Sequence, residues 1–336
     1  MKPALSQKPI SLLLLAFLFF NWGCKKAELV ASVNPSKNQI IYFNNIDHYV
    51  SFDIYAAYAN GYLPRKTSIN LPNNVRLQTV NIPVLSADRA TVFFNAFNVN
   101  AEGGSGYCIY SANINGSNIS QIIHTPDYSI VSMADTYADK ILFSEEKALV
   151  HGSQLWLAGV DGSNPRQINI GLDSNYDIEN LSAAKFSFDG NSIFFWAFDN
   201  TKLSSNLFHC NLDGSGLTKI FTYPHTDNLT RYTLLGNLNI NQQSKVLLSS
   251  TLNPSSILVL NADGSASQTI TFNITPHFVV AEAPVKLSAD GQTMYFSGGR
   301  LTDPINIYAC NLDGSNPQLA ITPGMSSSGV YIGAIY

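Results

Sequence analysis

The side chains in this sequence that have chemistry to offer are few and scattered. Six histidines stand at His48, His124, His151, His209, His225 and His277. None belongs to a His-Glu-x-x-His run or another close spacing that would put two imidazoles on one ion, so the sequence names no metal ligand and implies no cofactor. A nucleophilic serine of the Gly-x-Ser-x-Gly kind is missing as well, because Gly103-Gly104-Ser105-Gly106 continues with Tyr107 and reads as a flexible loop. Carboxylates offer more. Asp177 or Glu179 paired with Glu282 would serve acid–base work on a glycosidic bond, provided the fold carried them to one opening. The many Asp-Gly pairs lack the alternating carboxylates and distal Glu of a calcium loop, and are better explained as turns.

These residues need a scaffold, and composition bounds what it is. The 336 residues are 45% hydrophobic and 12% charged, which excludes a disordered chain and fits β-strands buried on both faces. Before the scaffold comes a leader. Lys2 and Lys8 precede an apolar run from Ile10 to Phe20, too short to span a bilayer as a helix but suited to a secretory signal peptide. Gly23-Cys24-Lys25-Lys26 follows, resembling the lipobox of bacterial lipoproteins of Bacteroidetes type, although Asn21 and Trp22 depart from the common pattern. The expectation is a signal peptide over 1–23, acylation at Cys24, a tether over 24–34 and one domain over 35–336. Removing the leader takes Lys+Arg from 19 to 17 against 23 Asp+Glu, a net charge near −6. That balance argues against nucleic acid, whose affinity comes largely from phosphate neutralisation. Cys210 and Cys310 occupy equivalent repeat positions, which lie far apart in a repeat protein, so they are expected as buried thiols and not as a disulfide.

The domain is built from a repeat. Ile307-Tyr308-Ala309-Cys310-Asn311-Leu312-Asp313-Gly314-Ser315 returns as Leu207 to Ser215, Leu155 to Ser163 and Ile109 to Ser117, with weaker copies at Ile257 to Ser265 and Ile54 to Gly61. An apolar strand that stops at Asp-Gly or Asn-Gly is a hairpin signal. A second piece precedes each: Leu287-Ser288-Ala289-Asp290-Gly291, Phe186-Ser187-Phe188-Asp189-Gly190 and Leu85-Ser86-Ala87-Asp88, each leading into a strand that ends at an aromatic pair. The closing residues Phe43, Phe94, Phe143, Phe195, Leu248 and Phe296 are 51, 49, 52, 53 and 48 apart; the turn glycines from Gly61 to Gly314 are 55, 46, 52, 50 and 50 apart. Two markers therefore agree on six units, each of four strands A to D, the sequence form of a β-propeller blade. Tyr55, Tyr110, Trp156, Phe208 and Tyr308, six before the turn glycine, are expected as packing between blades. Little chain precedes the first B strand near Gln39, so the tail 329–336 is expected to supply the missing inner strand of blade 1.

The Ser-x-Asp-Gly and Leu-Asp-Gly-Ser-Asn pairing resembles the WD40-like repeats of TolB-type six-bladed propellers, over about residues 35–336. Within that group the chain is similar to small bacterial lipoproteins, which implies an all-β, six-bladed β-propeller at the bacterial outer membrane, facing the periplasm or the cell exterior. The resemblance is specific for fold and weak for function, since the same repeat occurs in peptidase propellers and in a pectin-fragment lyase. All Asp-Gly turns fall on one face of such a ring. The irregular B–C and D–A loops share the other, which makes His48, His151, His225, Arg231, His277, Arg300 and Asp303 the candidate binding residues. For His225 and Arg231 the plain alternative is a solvated loop. The expected protein is a monomeric, non-catalytic module that binds an envelope protein or glycan and holds the membrane through its lipid. The rival is a carbohydrate-active enzyme, favoured if three of His48, His151, His225 and His277 gather at the channel mouth.

Overall fold

The computed structural model describes residues 39–47, 51–58, 65–78, 82–99, 107–124, 129–147, 152–179, 184–225, 231–265, 267–300, 304–322 and 330–335, all within the compact unit Pro35–Tyr336. Cys24, His48, His151 and Asp303 lie outside these residues. Every regular element among them is a strand. Blade 1 begins with β1 (Gln39–Asp47), β2 (Ser51–Tyr58) and β3 (Arg65–Asn70). Blade 2 holds β4 (Val75–Leu77), β5 (Val84–Leu85), β6 (Thr91–Asn98), β7 (Tyr107–Asn113) and β8 (Ser120–Ile123). Blade 3 comprises β9 (Ile130–Tyr137), β10 (Lys140–Glu146), β11 (Ser153–Gly159) and β12 (Arg166–Gln167). In blade 4 are β13 (Tyr176–Ile178), β14 (Ala184–Phe186), β15 (Ser192–Asp199), β16 (Ser204–Asn211) and β17 (Thr218–Pro224). Next, blade 5 has β18 (Tyr232–Ile240), β19 (Gln243–Ser250), β20 (Ser256–Asn261) and β21 (Ser267–Thr271). Blade 6 has β22 (Phe278–Val280), β23 (Lys286–Leu287), β24 (Thr293–Arg300), β25 (Asn306–Asn311) and β26 (Gln318–Ile321), before the final strand β27 (Val330–Ile335).

Each blade is an antiparallel meander, and β27 pairs with β1, Ile40 opposite Ile335 and Phe43 opposite Tyr331. The first and last strands of the chain thus share one sheet. A single parallel bridge between Tyr107 and Ile130 joins the ladders of blades 2 and 3. The innermost strands follow two patterns in alternation. In blades 2, 4 and 6 strand A is split into two short pieces, whereas in blades 1, 3 and 5 it is continuous with a register shift where it meets strand B. Both devices bend the strand, because a bulge or break adds local twist. Val84, Asp135, Lys185, Leu235, Lys286 and Ile332, one from each innermost strand, line an axial cavity of about 110 Å³.

The core lies between blades. Phe94 stacks on Tyr110 at 6.0 Å, Phe143 on Trp156 at 6.3 Å, Phe195 on Phe208 at 5.7 Å and Phe296 on Tyr308 at 5.8 Å. These are directly opposed B–C pairs, so the aromatic stripe is a ladder repeated around the ring. In blade 1 the stacked pair is Tyr42 and Tyr55 at 5.1 Å, one residue earlier than the marker Phe43, which faces Ile54. Cys108, Cys210 and Cys310 are buried thiols and form no disulfide among the described residues, and burial pushes the Cys210 and Cys310 thiols up to about 12.

The two repeated turns have local chemistry that explains their spelling. Ser86, Ser187 and Ser288 donate their hydroxyls to Asp88, Asp189 and Asp290 at 2.5, 2.6 and 2.5 Å, and accept the amides of Thr91, Ser192 and Thr293. In the C–D turns Asp161, Asp213, Asp263 and Asp313 accept the amide of the serine two residues on. In both sets a serine hydroxyl, helped by a backbone amide, holds the carboxyl below the usual carboxylate range. Glycine is needed at the C–D turn for a second reason. At Gly162 and Gly214 a methyl group would stand 2.1 Å from the Ile122 carbonyl oxygen and 2.0 Å from that of Asn169, both on the outer strand side of the preceding blade. The turn is therefore also a joint between neighbours.

Candidate functional site

Along each B strand the residue after the closing position (Phe43, Phe94, Phe143, Phe195, Leu248, Phe296) is small and polar in five blades, Asn44, Asn95, Ser144, Ser249 and Ser297, all buried. Asn95 shows the use of this position: its Nδ2 donates to the Val131 carbonyl at 2.6 Å and its Oδ1 accepts the Met133 amide at 2.8 Å, tying blade 2 to the inner strand of blade 3. Blade 4 departs from the pattern with Trp196, 3% exposed. A large ring there opens different packing against blade 5, and beside it lies a cavity of about 560 Å³. That volume falls in the range of small-molecule sites.

The walls of this cavity come from blades 2 to 6, with most of the polar side chains on blades 4 and 5. Phe198, Ser205, Tyr223 and His225 approach from blade 4, Arg231 and Tyr232 from the start of blade 5, and Glu179 and Glu282 from the breaks between the two pieces of strand A in blades 4 and 6. His225 is fixed on three sides. Its Nε2 is 2.8 Å from Ser205 Oγ, its ring packs on Phe198 at 5.2 Å and Tyr223 at 5.3 Å, and its amide donates to the Leu203 carbonyl. The Arg231 backbone exchanges hydrogen bonds with Thr251, and its side chain is exposed at the opening. Leu203 and Leu252, 58% and 63% exposed, stand beside these two anchors on the B–C loops of blades 4 and 5.

Toward the axis the cavity meets Lys185, which also lines the axial cavity. This lysine is buried, its Nζ donates to the Ala134 carbonyl at 2.5 Å, and burial, more than the repulsion of Lys286, draws its ammonium below the usual lysine range against the pull of Asp135. Asp135 itself accepts the Phe186 amide at 3.0 Å. Among the described residues, three buried polar atoms on the cavity residues have no hydrogen-bond partner: Trp196 Nε1, Tyr223 OH and Glu179 Oε1. Unpaired buried groups of this kind cost about 1–3 kcal/mol each, a cost that a partner entering the cavity would relieve.

Of the residues named from sequence, the fold brings His225 and Arg231 to one cavity, together with Glu179 and Glu282. Asp177 is turned elsewhere, its carboxylate accepting Asn200 Nδ2 at 2.8 Å. His277 and Arg300 sit apart in blade 6, both exposed, with Arg300 paired to Phe278 in the ladder and its Nε 3.5 Å from Thr275 Oγ1. Among the described residues no three His, Cys, Asp or Glu side chains gather as metal ligands; His48 and His151 lie outside those residues. Lys185, Trp196 and Tyr223 escaped the sequence reading. Trp196 carried a signal, being the one large residue at a small polar repeat position, whereas Lys185 looks like Lys286 and reveals its role only through burial.

No family model and no curated protein matches the sequence. Solved structures do match in shape. TolB from Acinetobacter baumannii is similar over 89% of this chain and 68% of its own, with 9% identity and a TM-score of 0.56. A chain of the nidogen/laminin complex matches over 88% of this chain and 98% of its own at 12% identity and a TM-score of 0.54. An oligogalacturonate lyase in complex with manganese matches over 77% and 74% at 10% identity and a TM-score of 0.52. At such identities the likeness concerns fold alone. The chain is a six-bladed β-propeller with the fold of TolB.

Proposed function

We propose that the protein is a non-catalytic binding module of the cell envelope, anchored through lipid on Cys24, which receives a polypeptide partner on its B–C and D–A face. The observation that carries this reading is the cavity lined by His225 and Arg231, with the exposed Leu203 and Leu252 on the B–C loops to which the backbones of those two residues are hydrogen-bonded. Apolar side chains around a concave polar centre suit a peptide segment, whereas a saccharide would favour open aromatic faces, and here Trp196 and Tyr223 are buried while the half-buried Phe198 and Tyr232 are packed against His225 and Tyr223. Partners are captured from the native envelope with the unaltered protein and with a variant carrying Leu203→Ser, Leu252→Ser and Arg231→Ala. Loss of a captured protein in the variant supports the assignment, and an unchanged set of partners refutes it. Cys24→Ser is expected to release the protein from membranes; retention in the membrane fraction would place the anchor elsewhere.

One observation favours a second reading, a carbohydrate-active enzyme. Glu179 and Glu282 line the same cavity, and two carboxylates facing a cleft are the machinery of glycosidic bond cleavage. Product release from a panel of polysaccharides, abolished by both Glu179→Gln and Glu282→Gln, would establish it.

A further inference from the structure

The cavity holds charges of both signs that do not neutralise each other. Lys185 and Glu179 both line it, yet among the described residues neither has an ion-pair partner within 4.0 Å. The Lys185 ammonium is nine-tenths buried with one backbone carbonyl as its acceptor, and Glu179 Oε1 is buried with no donor. An ammonium has three donors and a carboxylate oxygen two lone pairs, so each has unused capacity facing a cavity of ligand size. Other charged groups do not resolve this. Asp135 attracts the Lys185 ammonium from beyond ion-pair distance while one of its oxygens accepts the Phe186 amide, Lys286 adds positive charge, and Arg231 and Glu282 are exposed toward the opening. Burying separated opposite charges is costly unless something brings each a counter-charge.

We propose that the cavity binds a small zwitterion, an amino acid or short peptide with both ends free, its carboxylate at Lys185 and its ammonium at Glu179. This rests on the reading of the B–C and D–A face as a binding face and adds the chemistry of what enters. Trp196 Nε1 and Tyr223 OH, both unpartnered, supply further polar contacts within the same walls. A free chain end is selected over an internal segment, because only the former carries a full charge where a peptide bond is neutral.

Titration calorimetry of the full-length protein with L-trialanine, N-acetyl-trialanine and trialaninamide tests this. Trialanine is expected to bind at least tenfold more tightly than either blocked form. Lys185→Met should bind trialanine and trialaninamide alike, and Glu179→Gln should bind trialanine and N-acetyl-trialanine alike. Equal affinities for all three peptides, or no binding of trialanine, overturn the proposal. If Lys185→Met does not fold, discrimination by the unaltered protein decides. Should trialanine fail while the Leu203, Leu252 and Arg231 variant still loses a captured protein, the zwitterion assignment falls and the binding face stands.

Discussion

Substituting alanine at two turn glycines separates the two roles the repeat gives to Asp-Gly. Gly214 (φ +88°) and Gly291 (φ +69°) both lie in the left-handed region, so each alanine pays the same kind of backbone cost, about 1–2 kcal/mol, offset by about 0.4–1 kcal/mol from a stiffer unfolded chain. Around Gly291 nothing lies within 4 Å of the new methyl, and the net loss should stay near 1 kcal/mol. At Gly214 the methyl would sit 2.0 Å from the Asn169 carbonyl oxygen and 2.6 Å from its carbon. A backbone carbonyl of the preceding blade must move by more than an ångström-scale adjustment of a side chain, which adds about 1–3 kcal/mol of overpacking. Gly214→Ala is therefore expected to lose about 2–4 kcal/mol in total. Equilibrium urea unfolding reads both variants at unchanged m-value. Equal losses at the two sites would show that the C–D glycine serves turn geometry only, and the idea of the turn as an inter-blade joint would be wrong.

Three further outcomes follow from the same geometry. Deleting 330–335 removes the partner of β1 and uncovers the core around Ile332 and Ile335; the isoleucines alone represent about 3 kcal/mol or more, and a thermal transition matching the intact protein would contradict the role of β27. Asn95→Ala strands the Val131 carbonyl and the Met133 amide at about 1–3 kcal/mol each, so a loss near 3 kcal/mol is expected in urea, with Asn113→Ala on an exposed turn as a near-neutral control. The turn aspartates have folded-state pKa values below their unfolded ones. Their contribution is complete above the unfolded carboxylate range near pH 4 and is lost as pH falls through the depressed folded values, so acid unfolding should begin below about pH 4 and shift upward in Ser187→Ala and Ser288→Ala. An unshifted acid midpoint would remove the serine hydroxyls from that account.

Six blades, their four strands and their turns are written in the sequence because each hairpin is specified within about ten residues by turn chemistry and an aromatic ladder. Even the odd residue Trp196 is visible there, as a departure from Asn95 and Ser144 at the same repeat position. The register of blade 1 was not, since its Asn60-Gly61 copy is degenerate and Tyr42, not Phe43, meets Tyr55. Nor was the composition of the cavity. Glu179 and Glu282 stand about one hundred residues apart, and only the circular order of blades brings both to one cavity, while Asp177, two residues from Glu179, meets Asn200 instead, because β13 ends at Ile178 and Glu179 lies beyond the alternation of that strand. Lys185 reads as one more surface lysine until the inner strands surround it. Local rules settle what each blade is; which charges are buried together depends on contacts across the ring, and no local rule encodes those.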